Sequence, residues 1–423
     1  MSKNIKLSMV LFIVLGCLLR VLWNADMQWK GDQIWAYETA TEIVETGKWP
    51  VLANISGASN IRTPGMGVWS FAVLRYFVNT PLGLNRMVQA LNILAVFIFL
   101  LLILLKVERS EKEIWLWGIT LAAVSPAMIL YSNHIWQPNL VPFFSVLIIF
   151  CHFFRNHFMG AFLWGILGAI IGQIQLSGFY GAFALWSFTV FYDVYIKKNT
   201  FNTKWLAWFL GSTIGAVPLI PWFIHVWTTT DRGLESYRAW QNIFDFQFYT
   251  NWVLDSIGIN IRRIVMGKKF SVELQFLKDP HIFNTATYLV GVIYISLASI
   301  GIVMLKRLFT NISKTLKEKS LLSYLNQISQ TEFYLLAYFG LMGILMTLSA
   351  LSARPHYLLT AFPFTYIFFA KIFFPNRKII LTCIILNLIL STYLLSYIHK
   401  TGGNVSGWGY GLTYQKQMEI KEK

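Results

Sequence analysis

The sequence predicts an all-α integral membrane protein with about 11 transmembrane helices, and three observations carry the prediction. Of 423 residues, 56% are hydrophobic and only 13% charged, with a mean hydropathy of +0.54, whereas a soluble domain carries about a quarter charged residues. Apolar runs of bilayer-spanning length recur from Lys6 to His399, and a spanning helix needs about 20 such residues. Basic residues gather in alternate short connections. This composition excludes a soluble enzyme, a nucleic-acid-binding domain and a disordered chain, despite a formal net charge of +16. The whole of 1–423 is read as one polytopic membrane domain with no soluble domain before or after the spans.

The first run, 5–24, follows a basic start and lacks a small-x-small cleavage site, so it is read as a retained span. Further spans are expected at 84–105, 114–132, 138–154, 159–176, 178–196, 205–227, 283–305, 332–351, 355–374 and 378–398. With the N-terminus cytoplasmic, the inner connections hold Lys3 and Lys6, then Lys106, Arg109 and Lys112, then Arg155, then Lys197, Lys198 and Lys204. Arg307, Lys314, Lys317, Lys319, Arg377 and Lys378 follow on the same side. The short connections at 133–138 and 175–178 carry no Lys or Arg, which supports this register over its inverse. The expected setting is therefore a cytoplasmic (inner) membrane, with an odd span count placing the C-terminus outside. Much of the positive charge is a topology signal. Cys17, Cys151 and Cys383 all sit in apolar runs, where small core residues are expected and neither a disulfide nor a metal-thiolate site is.

Two segments on the outer side, 25–83 and 228–282, are too long to be simple connectors, so function is expected there. In the first, Thr63 to Val78 is apolar, too short to span, and reads as a helix lying at the interface. The second interleaves Tyr237, Trp240, Phe244, Phe246, Phe248 and Trp252 with Arg262, Arg263, Lys268 and Lys269, a pattern that suits an amphipathic segment at the headgroup level. The connection between 306 and 330 is polar and reads as helical, with a solvated basic face.

The first outer segment gathers Asp26, Asp32, Glu38, Glu42 and Glu45 among Trp23, Trp29, Trp35, Tyr37 and Trp49. Asp32 follows Gly31 and starts a helix expected over 33–45, so it reads equally as an N-cap or as an acid at the membrane surface facing a lipid-borne substrate. Arg62, Arg354 and Arg20 near span ends read by position alone as snorkelling side chains. The histidines show no metal-ligand spacing, and no P-loop, dinucleotide fingerprint or GxSxG occurs.

The residue strings resolve part of this ambiguity. Gly31-Asp32-Gln33, Ala40, Glu42, Thr46-Gly47-Lys48-Trp49-Pro50, Arg62-Thr63-Pro64 and Trp69 resemble, in order and spacing, the first outer loop of the GT-C glycosyltransferases, in particular the protein O-mannosyltransferase and aminoarabinose-transferase (ArnT-like) branch. Ser125-Pro126, Tyr131-Ser132-Asn133-His134 and Pro138-Asn139 resemble the outer end of that family's third and fourth helices. Arg354-Pro355-His356-Tyr357 resembles the Arg-Tyr motif opening a late span. The resemblance implies a GT-C-like helical bundle with outer juxtamembrane helices, in which Asp32 is the catalytic base and Arg354, Arg62 and His356 hold the donor phosphate. Tyr357, Trp35 and His134 are the implied substrate contacts. The implied partners are a polyprenyl-phosphate-linked sugar, a lipid-, glycan- or protein-borne acceptor and the bilayer, with no nucleic acid. Gln33 and Asn139 stand where family members often carry acids, so a site without metal or other cofactor is expected. A transporter or flippase for lipid-linked glycans, an O-antigen ligase or polymerase, and a non-enzymatic scaffold remain the rival readings. A transport path would need ionisable groups inside the bundle, and apart from Arg20, Asp193 and span-end residues the spans carry almost none.

Overall fold

The computed structural model describes residues 3–55, 62–199, 202–228, 240–261, 270–283, 285–318, 320–404 and 409–422. Within them the regular structure is helical apart from three two-stranded ribbons. In chain order the helices are α1 (Lys3–Val21), α2 (Gly31–Thr46), α3 (Met66–Arg75), α4 (Pro81–Leu105), α5 (Lys112–Val124), α6 (Pro126–Tyr131) and α7 (Val141–Phe153). Then come α8 (Phe158–Ile174), α9 (Ser177–Phe191), α10 (Trp205–Ala216), α11 (Leu219–Thr228), α12 (Gln241–Phe244), α13 (Gln247–Ser256) and α14 (Phe270–Leu277). The last are α15 (Leu289–Glu318), α16 (Leu321–Asn326), α17 (Gln330–Leu335), α18 (Gly343–Leu348), α19 (Phe364–Phe373), α20 (Arg377–Thr401) and α21 (Tyr414–Lys421). A π-helical stretch, Leu336–Met342, joins α17 to α18.

Every expected span overlaps a helix, although α15 begins only at Leu289 and the stretch 355–361 is a 3-10 helix, and fewer are single long rods. Five helices among the described residues are long and apolar enough to span, and α10 with α11, bent by 58°, makes a sixth as a broken pair. The others are shorter or interrupted, and proline is one reason. Pro126 cannot continue the ladder of α5, so Ser125 turns extended and the expected 114–132 span splits into α5 and α6. The basic connection after residue 305 does continue as helix, because α15 runs to Glu318. The chain is a multi-pass membrane protein.

The break after α5 explains Arg20, which does not snorkel. Only 1% exposed, its guanidinium donates to the carbonyls of Gly16 (2.8 Å), Ala122 (3.2 Å) and Ala123. The last two lie in the final turn of α5, whose carbonyls lost their partners where the helix stops. Ser391 Oγ on α20 donates to the next one, Val124 O, at 2.7 Å. Close backbone approach makes room for this: a Cβ at Gly16 would stand 2.2 Å from Ala123 O.

Two juxtamembrane expectations are modified. In α3, Val68 and Phe71 are fully buried, so this short helix is packed into the protein. In the second long segment, α13 is drawn into the bundle, with Phe248 1% and Trp252 0% exposed, while Trp240 and Phe244 stay exposed. Tyr237, Arg262, Arg263, Lys268 and Lys269 lie outside the described residues. The three cysteines are free thiols, two of them buried.

Candidate functional site

Helix α2 stops where the sequence says it should, at Gly47, which adopts φ +69° and donates its N–H to Ile43 O at 2.9 Å. Its start differs from one of the two expected readings. Lys30 occupies the N-cap, and Asp32 lies inside the first turn. The carboxylate faces the favourable end of the helix dipole, and among the described residues it has no hydrogen-bond or ion-pair partner.

Asp32 opens onto a cavity of about 760 Å³ whose walls come from the first long segment, the α6–α7 connection, the α8–α9 turn, α13 and the 352–357 segment. The size suits a small organic ligand. His134, Arg354, His356 and Tyr357 line it with Asp32, although 325 positions separate Asp32 from Tyr357 (357 minus 32). Arg62 and Trp35 are not among the lining residues. Arg62 is exposed on a ribbon, β1 (Leu52–Ile55) with β2 (Arg62–Pro64), and its carbonyl accepts from Trp222 Nε1 at 2.9 Å. Trp35 is half-buried against the core.

Arg354 owes its place to proline and to α13. The residue before Pro355 is held extended, at φ −86° and ψ 152°. Asn251 Nδ2 donates to Ala353 O (2.9 Å), and Ser352 Oγ donates to Gln247 Oε1 (2.8 Å). Ala353 is thus held by its carbonyl and Ser352 by its hydroxyl, while the Arg354 guanidinium has no hydrogen-bond or ion-pair partner among the described residues. His356 packs edge-on against Trp136 and Tyr357, with ring centroids 4.7 Å apart in each case.

The loop carrying His134 is held by carboxamides. Asn85 Nδ2 and Gln89 Nε2 of α4 both donate to Asn133 Oδ1, at 2.6 and 2.8 Å, and both also donate to Asn24 Oδ1. Asn92 reaches Asn139 O at 2.8 Å, and Asn139 Nδ2 donates to His134 O at 3.0 Å. Asn85, Gln89 and Asn92 recur at i, i+4 and i+7, one face of a helix otherwise read only as apolar; that stripe was the available signal. His134 Nδ1 bonds the carbonyl of Asn133, which can only accept, so the neutral ring carries its proton there and leaves Nε2 as an acceptor. Burial pushes the His134 pKa down to about 4, and it remains neutral above that.

Lys30 also lines the cavity. Burial lowers its pKa and the nearby Asp32 charge opposes that shift. The lining therefore sets two fixed cations, Lys30 and Arg354, against one carboxylate. Asp26, by contrast, is committed elsewhere: it is 5% exposed and its Oδ2 meets His399 Nδ1 at 2.8 Å. No group of three His, Cys, Asp or Glu that could hold a metal ion occurs among the described residues.

No protein-family model and no curated protein matches the chain. Among solved structures it is similar to an oligosaccharyltransferase of Archaeoglobus fulgidus, solved in the apo form, with 13% identity and a TM-score of 0.50, covering 95% of this chain and 57% of that one. It is also similar to ArnT from Cupriavidus metallidurans bound to undecaprenyl phosphate, with 10% identity and a TM-score of 0.47, over 95% of this chain and 64% of that one. The chain spans less than two thirds of either protein. At such identities the likeness speaks to the fold alone, which this chain shares with the archaeal oligosaccharyltransferase.

Proposed function

We propose that the chain is a GT-C glycosyltransferase that moves a sugar from a polyprenyl-phosphate donor to an acceptor hydroxyl at the outer face of a cytoplasmic membrane. The observation that carries this reading is one cavity lined by both a carboxylate, Asp32, and a guanidinium, Arg354, each without a hydrogen-bond or ion-pair partner among the described residues. Reaction and site match in charge. A lipid phosphate leaving group develops negative charge at the headgroup level, where a fixed cation in a partly dehydrated pocket stabilises it. The acceptor hydroxyl must lose a proton as it attacks, and a carboxylate within reach takes it.

In this mechanism the acceptor oxygen attacks the anomeric carbon from the face opposite the phosphate. The new C–O bond forms as the bond to the phosphate oxygen breaks, the leaving oxygen keeps the electron pair, and Asp32 receives the hydroxyl proton. One displacement inverts the anomeric centre. Arg354 holds the phosphate with His356 beside it, while Tyr357 and the neutral His134 face the sugar, His134 offering Nε2 to a sugar hydroxyl. Arg62 and Trp35 stand outside this set. In this topology 25–83 and 228–282 are the outer segments, and the single carboxylate supports a reaction that needs no metal.

Mass spectrometry of cell-envelope glycans from cells with the parental gene, without it, and with Asp32→Asn tests the reading. A glycan modification lost in both altered strains and retained by the parent is expected, and transfer by the purified protein should survive EDTA. Unchanged glycans in the gene-less strain would overturn the assignment.

A further inference from the structure

The C-terminal segment forms part of the cavity wall through Gly409, where it meets Lys30. After α20 the chain turns at Gly402 (φ +66°) into a two-stranded ribbon, Gly403–Asn404 with Gly411–Leu412, that docks on the stretch just before α2. Trp29 N–H donates to Leu412 O (3.2 Å), Tyr414 N–H to Met27 O (2.9 Å), and Tyr410 OH to Asp26 O (2.8 Å). Met27 and Trp29 are buried beneath it. Lys30 Nζ donates to the carbonyl of Gly409 at 2.5 Å, and Lys30 and Gly409 both line the cavity. The approach is tight. A Cβ on Gly411 would stand 2.9 Å from Lys30 Cδ, and φ there is +78°.

An ammonium has three donors, and among the described residues Lys30 has one hydrogen-bond acceptor, the neutral carbonyl of Gly409. The positive charge of Lys30, with Asp32 as the nearby carboxylate, is presented to a ligand in the same cavity as Arg354. Resting on the donor reading above, we propose that Lys30, held by the C-terminal segment, is a second cation binding the donor's phosphate. The alternative role is a purely structural tether that fastens the tail by its bond to Gly409.

Binding to the full-length protein in nanodiscs separates these roles, with undecaprenyl phosphate and the uncharged undecaprenol as the two probes. The parental protein is expected to prefer the phosphate over the alcohol. Lys30→Gln keeps a donor for Gly409 O but removes the charge, and the preference should fall at least about tenfold, as for losing one charge-assisted hydrogen bond. Lys30→Arg should retain most of it, and undecaprenol affinity should stay constant in both. A Lys30→Gln protein with parental preference overturns the proposal and leaves Lys30 a tether. Loss of preference in Arg354→Ala alone has the same consequence while the donor reading stands. No preference in the parental protein would sink the donor reading itself. Should Lys30→Gln fail to fold, acetylation of Lys30 in the parental protein, followed by mass spectrometry, decides: protection by undecaprenyl phosphate but not by undecaprenol supports the proposal, and equal labelling with both overturns it.

Discussion

Asp32→Asn separates chemistry from folding. The carboxylate sits in the first turn of α2, is exposed, and has no hydrogen-bond or ion-pair partner among the described residues. Besides attraction to the charge of nearby Lys30, its structural contribution is the interaction with the helix dipole, worth about 0.3–1 kcal/mol at an exposed position. The substitution should therefore leave the apparent Tm in detergent within a few degrees of the parent. As general base, Asp32 contributes about 10²- to 10⁴-fold to the rate, equivalent to about 2.7–5.4 kcal/mol in the barrier. The two expectations differ enough to be told apart in one preparation. Transfer is followed by mass spectrometry of acceptor extracts incubated with a polyprenyl-phosphate sugar, and stability by thermal unfolding of the same samples. Asp26→Asn provides the contrast, because that buried carboxylate holds His399 at 2.8 Å and its neutralisation should lower Tm. Parental transfer by Asp32→Asn would refute the base assignment. So would a rate loss no larger than that of Asp26→Asn accompanied by an equal fall in Tm, since both would then report damage to the fold.

Arg354→Ala should raise donor KM and weaken product inhibition by polyprenyl phosphate, at about 1.5–3 kcal/mol for a charge-assisted bond, with Arg354→Lys recovering only part because a point charge lacks the guanidinium fork; unaltered values in both would remove Arg354 from the site. For His134, the folded pKa of about 4 lies below the ordinary 6.5, so the unfolded chain binds more protons between those values. Its contribution is complete above pH 6.5 and is lost on acidification toward pH 4, about 3 kcal/mol in all, so His134→Gln should show a smaller fall in Tm between pH 7 and 4.5 than the parent. Gly165→Ala should lower Tm at every pH, because a Cβ there would lie 2.2 Å from Trp208 O and force α8 from α10, an overpacking cost of about 1–3 kcal/mol; an unchanged Tm would mean that the two helices separate without loss.

What the sequence determined by itself is what short stretches of chain decide alone. Hydropathy over about 20 residues marks the apolar stretches that fold as helices, Gly47 ends α2 because it takes a left-handed conformation without steric cost, and Pro355 forces Arg354 extended. The residue strings around Asp32, His134 and Arg354 were legible too, and the folded chain sets all three on one cavity. Tertiary structure decided the rest, because it turns on pairings between residues far apart in the chain. Arg20 is a snorkelling residue by position, and only the halt of α5 at Val124 supplies the carbonyls that bury it. Asp26 and Asp32 look alike in sequence, and only the return of α20 brings His399 to one and leaves the other open to the cavity. Arg62 and Arg354 both look like span-end arginines in sequence, yet only the second is among the residues lining the cavity. Lys30 carries no local signal at all: its place depends on Gly409, a partner 379 positions later, which no window of sequence contains.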